Sequence, residues 1–188
     1  VVWLGVLIQI LNIIPYWGFA SMGPYLFMTY KGFSAAEAGL FFGTIYGIGG
    51  LSGGRLGFFA VRFGGKPMIL FLAALNTLCA ILIFHVIPQT SYMLYVVGAM
   101  MGIGLHAIYV LGYTIAQDSV STAQIGLATG IVGASSYFLS FFSGPLMGFL
   151  TSTLGYAAAL DIMVVTFEAV LFGVAIVMKE TQPRHAEV

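Results

Sequence analysis

Six long stretches of apolar residues, at roughly 2–28, 35–59, 67–87, 92–116, 123–150 and 156–178, fill almost the whole chain and leave only short connections. Each is close to the 20 or so apolar residues that a helix needs to cross a bilayer. Six such rods with no room for a soluble domain between them dictate an all-α, multi-pass membrane fold. Charge agrees with this. Only 6% of the 188 residues are charged and mean hydropathy is +1.05, whereas a soluble domain carries roughly 25% charged residues to face water. The solvent of this chain is therefore largely lipid. A net charge of zero argues against a nucleic-acid partner. The single cysteine, Cys79, lies in an apolar run and allows no disulfide framework. No cofactor or metal-binding motif is present. The opening "VVWLGVLIQIL" has neither Met nor a basic flank and reads as part of a longer polypeptide rather than a signal peptide.

Boundaries between the spans carry their own chemistry. "SAAE" at 34–37 is a capping box, in which Ser34 and Glu37 exchange hydrogen bonds at the start of the second helix. Pro67 suits a first turn, and Pro88 follows the end of the third span. Pro145 lies inside the fifth span, where it removes one backbone bond and kinks the helix; Pro15 and Pro24 do the same in the first. Basic residues are distributed unevenly: Arg55, Arg62, Lys66, Lys179 and Arg184 fall at one end of the rods and Lys31 at the other. The positive-inside rule then puts both termini and the 2–3 loop in the cytoplasm.

Glycines recur every four residues: Gly39, Gly43 and Gly47, then Gly50 and Gly54, with Gly49, Gly53 and Gly57 beside them, in the second span, Gly98 and Gly102 in the fourth, Gly126 and Gly130, then Gly144 and Gly148, in the fifth. Such rows let helix backbones approach closely, which replaces the hydrophobic drive that lipid removes. They serve static packing or helices that rock on one another.

The stretch "RLGFFAVRFGGKP" at 55–67 holds three of the six basic residues. It resembles the loop signature of the major facilitator superfamily: Gly, three residues, Asp, Arg, any residue, Gly, basic, basic. Gly57, Arg62, Gly64 and Lys66 match in register, while Val61 replaces the Asp and Gly65 the first terminal basic residue. The loop lies where that family places it, between the second and third helices of a six-helix half. "YTIAQDSVSTAQIGLATG", "SGPLMGF", "MGPYLFMTYKGFSAAEAG" and "KETQPR" are similar to further stretches of such a half, and more faintly the chain resembles the superfamily's organic-anion and sugar-acid symporters. The resemblance implies two inverted three-helix repeats facing a partner half across a central pathway. The worn signature implies the second half, so residues 1–188 would be the C-terminal six helices of a twelve-helix secondary transporter, with the N-terminal half missing. Its partners would be a small organic solute, a proton or other coupling ion, and the lipid of a cell membrane.

In that family the first and fourth helices of a half line the pathway. Here they offer Gln9, Asn12 and Tyr16, and His106, Tyr109 and Tyr113, each set spaced three and four apart on one helix face. Neither wall carries Lys or Arg. Candidates for proton coupling are His106, near mid-span, and Asp161 and Glu168, seven residues apart on one face of the sixth span. Histidine ordinarily titrates near neutrality, whereas a carboxylate at mid-bilayer costs about 2.5–3.5 kcal/mol by insertion scales. Such an acid protonates or pairs, and Gln9 and Asn12 have the alternative of bridging helices. A rival reading comes from "GLSG" at 50–53, which resembles the nucleophile motif of rhomboid intramembrane proteases, with Ser52 and His106 as the dyad. A non-catalytic membrane scaffold is the third reading.

Overall fold

The computed structural model describes residues 2–179, with side chains for all of these except 53, 54 and 57–62. Gly57 and Arg62 of the loop signature, and Arg184, therefore lie outside the described side chains.

Helices form wherever the apolar stretches predict them. α1 is Val2–Tyr30, α2 Ala35–Phe63, α3 Gly65–Ile81 and α4 Met93–Asp118. A π-helical turn, Leu82–Val86, prolongs α3 to complete the third span. The fifth span is divided into α5, Ile125–Ser140, and α6, Ser143–Leu154; the sixth comprises α7, Tyr156–Leu160, a π-helical turn Asp161–Thr166, and α8, Phe167–Val177. Five of the six spans are long and apolar enough to cross a membrane. The sixth, α2, is as long as α1 and contains eight glycines.

Three boundaries differ from the sequence reading in instructive ways. The 2–3 connection is not a loop of several residues: α2 runs to Phe63, α3 starts at Gly65, and Gly64 alone turns the chain at φ 90°. That conformation is open to glycine and strained for other residues, so the central glycine of the signature is a one-residue turn. The fifth span breaks at Phe141–Phe142, four residues before Pro145. Proline has no N–H to give to the Phe141 carbonyl, and the ladder fails there. Asp161 and Glu168 do not share a face. The intervening π-helical turn advances fewer degrees per residue than an α-helix, leaving Asp161 at the rim and Glu168 fully buried.

The capping box forms as read: Ser34 N–H donates to Glu37 Oε2 at 2.8 Å, and Glu37 N–H to Ser34 Oγ at 3.2 Å. α1 and α4 are central. α4 packs on α2 and α3, and α1 packs on α5, α6 and α8, so each central helix has one companion along its length and one behind it. The α2–α4 seam is the closest. A Cβ on Gly102 would collide with the backbone of Ile45, and one on Gly49 with the backbone of Gly102. By contrast, Gly39, Gly43 and Gly47 meet nothing within 4 Å, nor do Gly126, Gly130 and Gly148. At the end of the bundle holding residues 19–42, Phe19, Phe27, Phe41, Phe42 and Phe84 interlock, with Phe27 and Phe41 stacked at 5.0 Å. Aromatic pairs of this kind add about 0.5–1.5 kcal/mol beyond burial.

Candidate functional site

Midway along the bundle, α1, α4 and α5 diverge around a cavity of about 100 Å³ lined by Ile13, Tyr16, Trp17, His106, Tyr109 and Tyr137. Its polar groups form two linked pairs. The Tyr16 hydroxyl lies 3.3 Å from His106 Nε2, and the Tyr109 and Tyr137 hydroxyls are 2.8 Å apart. His106 Nδ1 is 2.9 Å from the Gly102 carbonyl. A carbonyl can only accept, so Nδ1 carries the proton in the neutral ring and Nε2 accepts from Tyr16. The site is then a histidine held at one nitrogen by backbone and open at the other to a phenol. Tyr46 of α2 completes the frame: its hydroxyl donates to the Tyr16 carbonyl at 3.2 Å, and its ring meets Tyr16 edge-on at 5.0 Å.

Of the six wall candidates, Tyr16, His106 and Tyr109 come together here. Tyr113 stacks edge-on against Tyr109 at 5.3 Å and packs one turn away, in the small cluster of Val6, Ala116 and Val132. Gln9 and Asn12 are buried between α1 and α4. Asn12 Nδ2 donates to the Leu105 carbonyl at 3.1 Å, and Gln9 lies over Gly112, where its Oε1 would be 2.5 Å from an added Cβ. Asn12 thus bridges the two helices, whereas the Gln9 amide is buried without a hydrogen-bond partner. Sequence reasoning missed Trp17 and Tyr137. Trp17 is next to a candidate, and Tyr137 lies a turn before the helix break that Pro145 announces.

Other candidates are placed elsewhere. Asp161 pairs with His85 of the third span, Oδ1 to Nε2 at 2.7 Å, both about 40% exposed (41% and 39%). Glu168 is fully buried beside the Asn76 side chain. Asn76 in turn lies over Gly104 and, with its amide oriented to suit both, donates to the Met101 carbonyl at 3.2 Å and accepts from the Leu105 N–H at 3.3 Å. Lys66, the last matched residue of the signature, reaches across to the end of α8, where Nζ donates to the carbonyls of Ile176 at 2.7 Å and Met178 at 2.8 Å. A cation there satisfies orphan carbonyls and the negative end of the helix dipole. The Ser52 hydroxyl is turned to its own helix, donating to the Ile48 carbonyl at 2.7 Å; with both His106 nitrogens engaged elsewhere, a Ser52–His106 dyad is not favoured. Among the described residues, no three His, Cys, Asp or Glu gather as a metal site would require.

The profile of the Major Facilitator Superfamily matches residues 5–188. Among solved structures, that of tetrameric PepTSo2 superposes on the chain with a TM-score of 0.78 at 17% identity, over 100% of this chain and 43% of that one. The chain thus spans less than half the length of that protein. Among curated proteins, none matches it in sequence.

Proposed function

Because the chain belongs to the Major Facilitator Superfamily, a family of multi-pass membrane proteins, we propose that it forms the C-terminal half of a secondary active transporter. Together with a companion half it moves a small organic solute across a cell membrane by alternating access, and the transport is proton-coupled. The end of the bundle bearing Gly64 and Lys66 faces the cytoplasm. The observation that carries the reading is the cavity between α1, α4 and α5, where an imidazole and three phenols converge midway along the bundle. Solute sites at the interface of inverted repeats lie at this depth.

His106 is the proton carrier in this reading. Asp161 is at the rim with His85, and Glu168 is enclosed against Asn76; only His106 of the three lines the cavity. A proton arriving at Nε2 turns that nitrogen from acceptor to donor. The Tyr16 hydroxyl must then reverse and accept, which frees its own proton for a solute or for the facing half. Protonation and solute recognition are joined in one hydrogen bond. Asn12 keeps α1 registered on α4 through the Leu105 carbonyl.

The test is uptake by the full-length transporter in vesicles with and without an imposed proton gradient. His106→Gln is expected to reduce gradient stimulation to background while uncoupled solute exchange persists. Glu168→Gln should retain the stimulation. An unchanged gradient response in His106→Gln would remove His106 from the role.

A further inference from the structure

A second cavity, of about 350 Å³, adjoins the first where the fifth span breaks. It shares Trp17 and Tyr137 with the His106 cavity and adds Ser21, Ser140, Phe141 and Ser143. A solute moving from His106 along α1 meets it next. None of the described residues lining either cavity is Lys, Arg, Asp or Glu.

Its three serine hydroxyls are committed the same way, while Tyr137 pairs with the Tyr109 hydroxyl. Ser21 Oγ donates to the Gly18 carbonyl at 3.1 Å, Ser140 Oγ to the Tyr137 carbonyl at 2.8 Å, and Ser143 Oγ to the Ser140 carbonyl. A hydroxyl has one proton and two lone pairs. With each proton spent on backbone, the three oxygens have only acceptor capacity left. The break adds to this, since Pro145 brings no N–H to the Phe141 carbonyl. The serine side of the wall therefore offers lone pairs, and the donors near it are neutral and few: the indole N–H of half-exposed Trp17 and the one phenol proton that the Tyr109–Tyr137 pair leaves over, with the exposed ring of Phe141 beside them. A carboxylate placed there would lose water and find acceptors, which leaves it unsatisfied. A ring that carries hydrogen-bond donors would stack on Trp17 and give its protons to the serines. An ammonium group gains further from the indole face.

We propose that this cavity is a solute subsite that selects ring-bearing solutes by their hydrogen-bond donors, hydroxyl or ammonium, and rejects their carboxylate counterparts. The inference rests on the transporter reading above and names the solute class that this half admits.

The experiment measures binding of four labelled probes to the full-length transporter by equilibrium dialysis: glucose and phenethylamine as donor-bearing rings, glucuronate and phenylacetate as their acidic counterparts. The expected result is that glucose or phenethylamine binds at least tenfold more tightly than its acid, and whichever does so says whether hydroxyl or ammonium is read. Ser21→Ala with Ser140→Ala should weaken that probe about tenfold per lost acceptor and erase the preference. Gly144→Leu fills the cavity, because a Cβ there already lies 3.4 Å from Ser21 Oγ, and should abolish binding. Equal or reversed preference between a ring and its acid overturns the proposal, as does a serine double variant that binds like the parent. Uptake separates the two levels. If Gly144→Leu stops uptake but acids are preferred, only the selectivity falls; if uptake survives Gly144→Leu, the pathway reading falls with it.

Discussion

Two interfaces occupy equivalent places in the bundle. α4 lies along α2, and α1 lies along the α5–α6 span. The first is closed: Gly49, Gly98 and Gly102 bring the two backbones together, and an added Cβ at any of them meets Gly102, Phe41 or Ile45. The second is held apart by Trp17, Tyr137 and the serines around a broken helix, and both polar cavities open along it. Lipid offers no hydrophobic reward for pairing helices, so close contact has to come from backbone approach. A glycine seam supplies it and leaves no room for anything else. An interface spaced by side chains and relieved by a proline break is looser, and there a solute can lie. In the proposed transporter the α2–α4 interface would serve as frame and the α1–α5/α6 interface as passage.

The largest expected effect tests the closed side. Gly102→Val drives two methyl groups into the Ile45 backbone, which cannot move without separating α2 from α4. The cost should be about 3 kcal/mol or more, seen as a loss of monodisperse protein in detergent and a lowered thermal midpoint. A control on the exposed face of α5, Gly130→Val, meets nothing within 4 Å and should stay within about 0.5 kcal/mol. Similar costs at the two positions would mean that the α2–α4 seam is not closed by backbone contact.

Much of this was legible in the chain itself. Six spans follow from length and apolarity, the start of α2 from Ser34 and Glu37, and the break in the fifth span from Pro145. What escaped was set by tertiary contact. Four-residue spacing identified the Gly39, Gly43 and Gly47 row and Gly49 beside it without choosing between them; the glycine that meets α4 is Gly49, because spacing does not say which face a partner takes. Asp161 and Glu168 were assigned one face by counting along an α-helix, and a π-helical turn moved them apart. Tyr16, His106 and Tyr109 were readable as polar groups at depth. Gln9 and Asn12 have the same periodicity as Tyr16, yet they lie where α1 and α4 are close, while Tyr16 lies where α5 has turned away.

An intermediate effect sharpens the role of the signature loop. Lys66 ties the start of α3 to the last turn of α8. Lys66→Met keeps the aliphatic stem and removes the charged donor, so the Ile176 and Met178 carbonyls lose a partner. A loss of about 1–2 kcal/mol is expected, read as faster amide exchange across residues 174–178, with the α2–α4 seam unchanged. An equal rise in exchange at α2 would mean that Lys66 supports the whole frame rather than one helix end.

The smallest effect concerns the row of α2 turned away from the seam. A Cβ on Gly43 touches nothing, and alanine is the better helix former by up to about 1 kcal/mol. Gly43→Ala should therefore raise the thermal midpoint slightly or leave it unchanged, the opposite sign from Gly102→Val on the partner helix of the same seam. Gly43→Leu carries the argument further. In this six-helix bundle it still meets open space, so the fold should persist; in the proposed full transporter the same face would have a companion half or lipid beside it. If uptake falls while the midpoint holds, the smooth row is a surface on which the halves move. If stability itself drops by more than about 1 kcal/mol with alanine alone, that row is packed as tightly as the seam, and α2 has two closed faces rather than one.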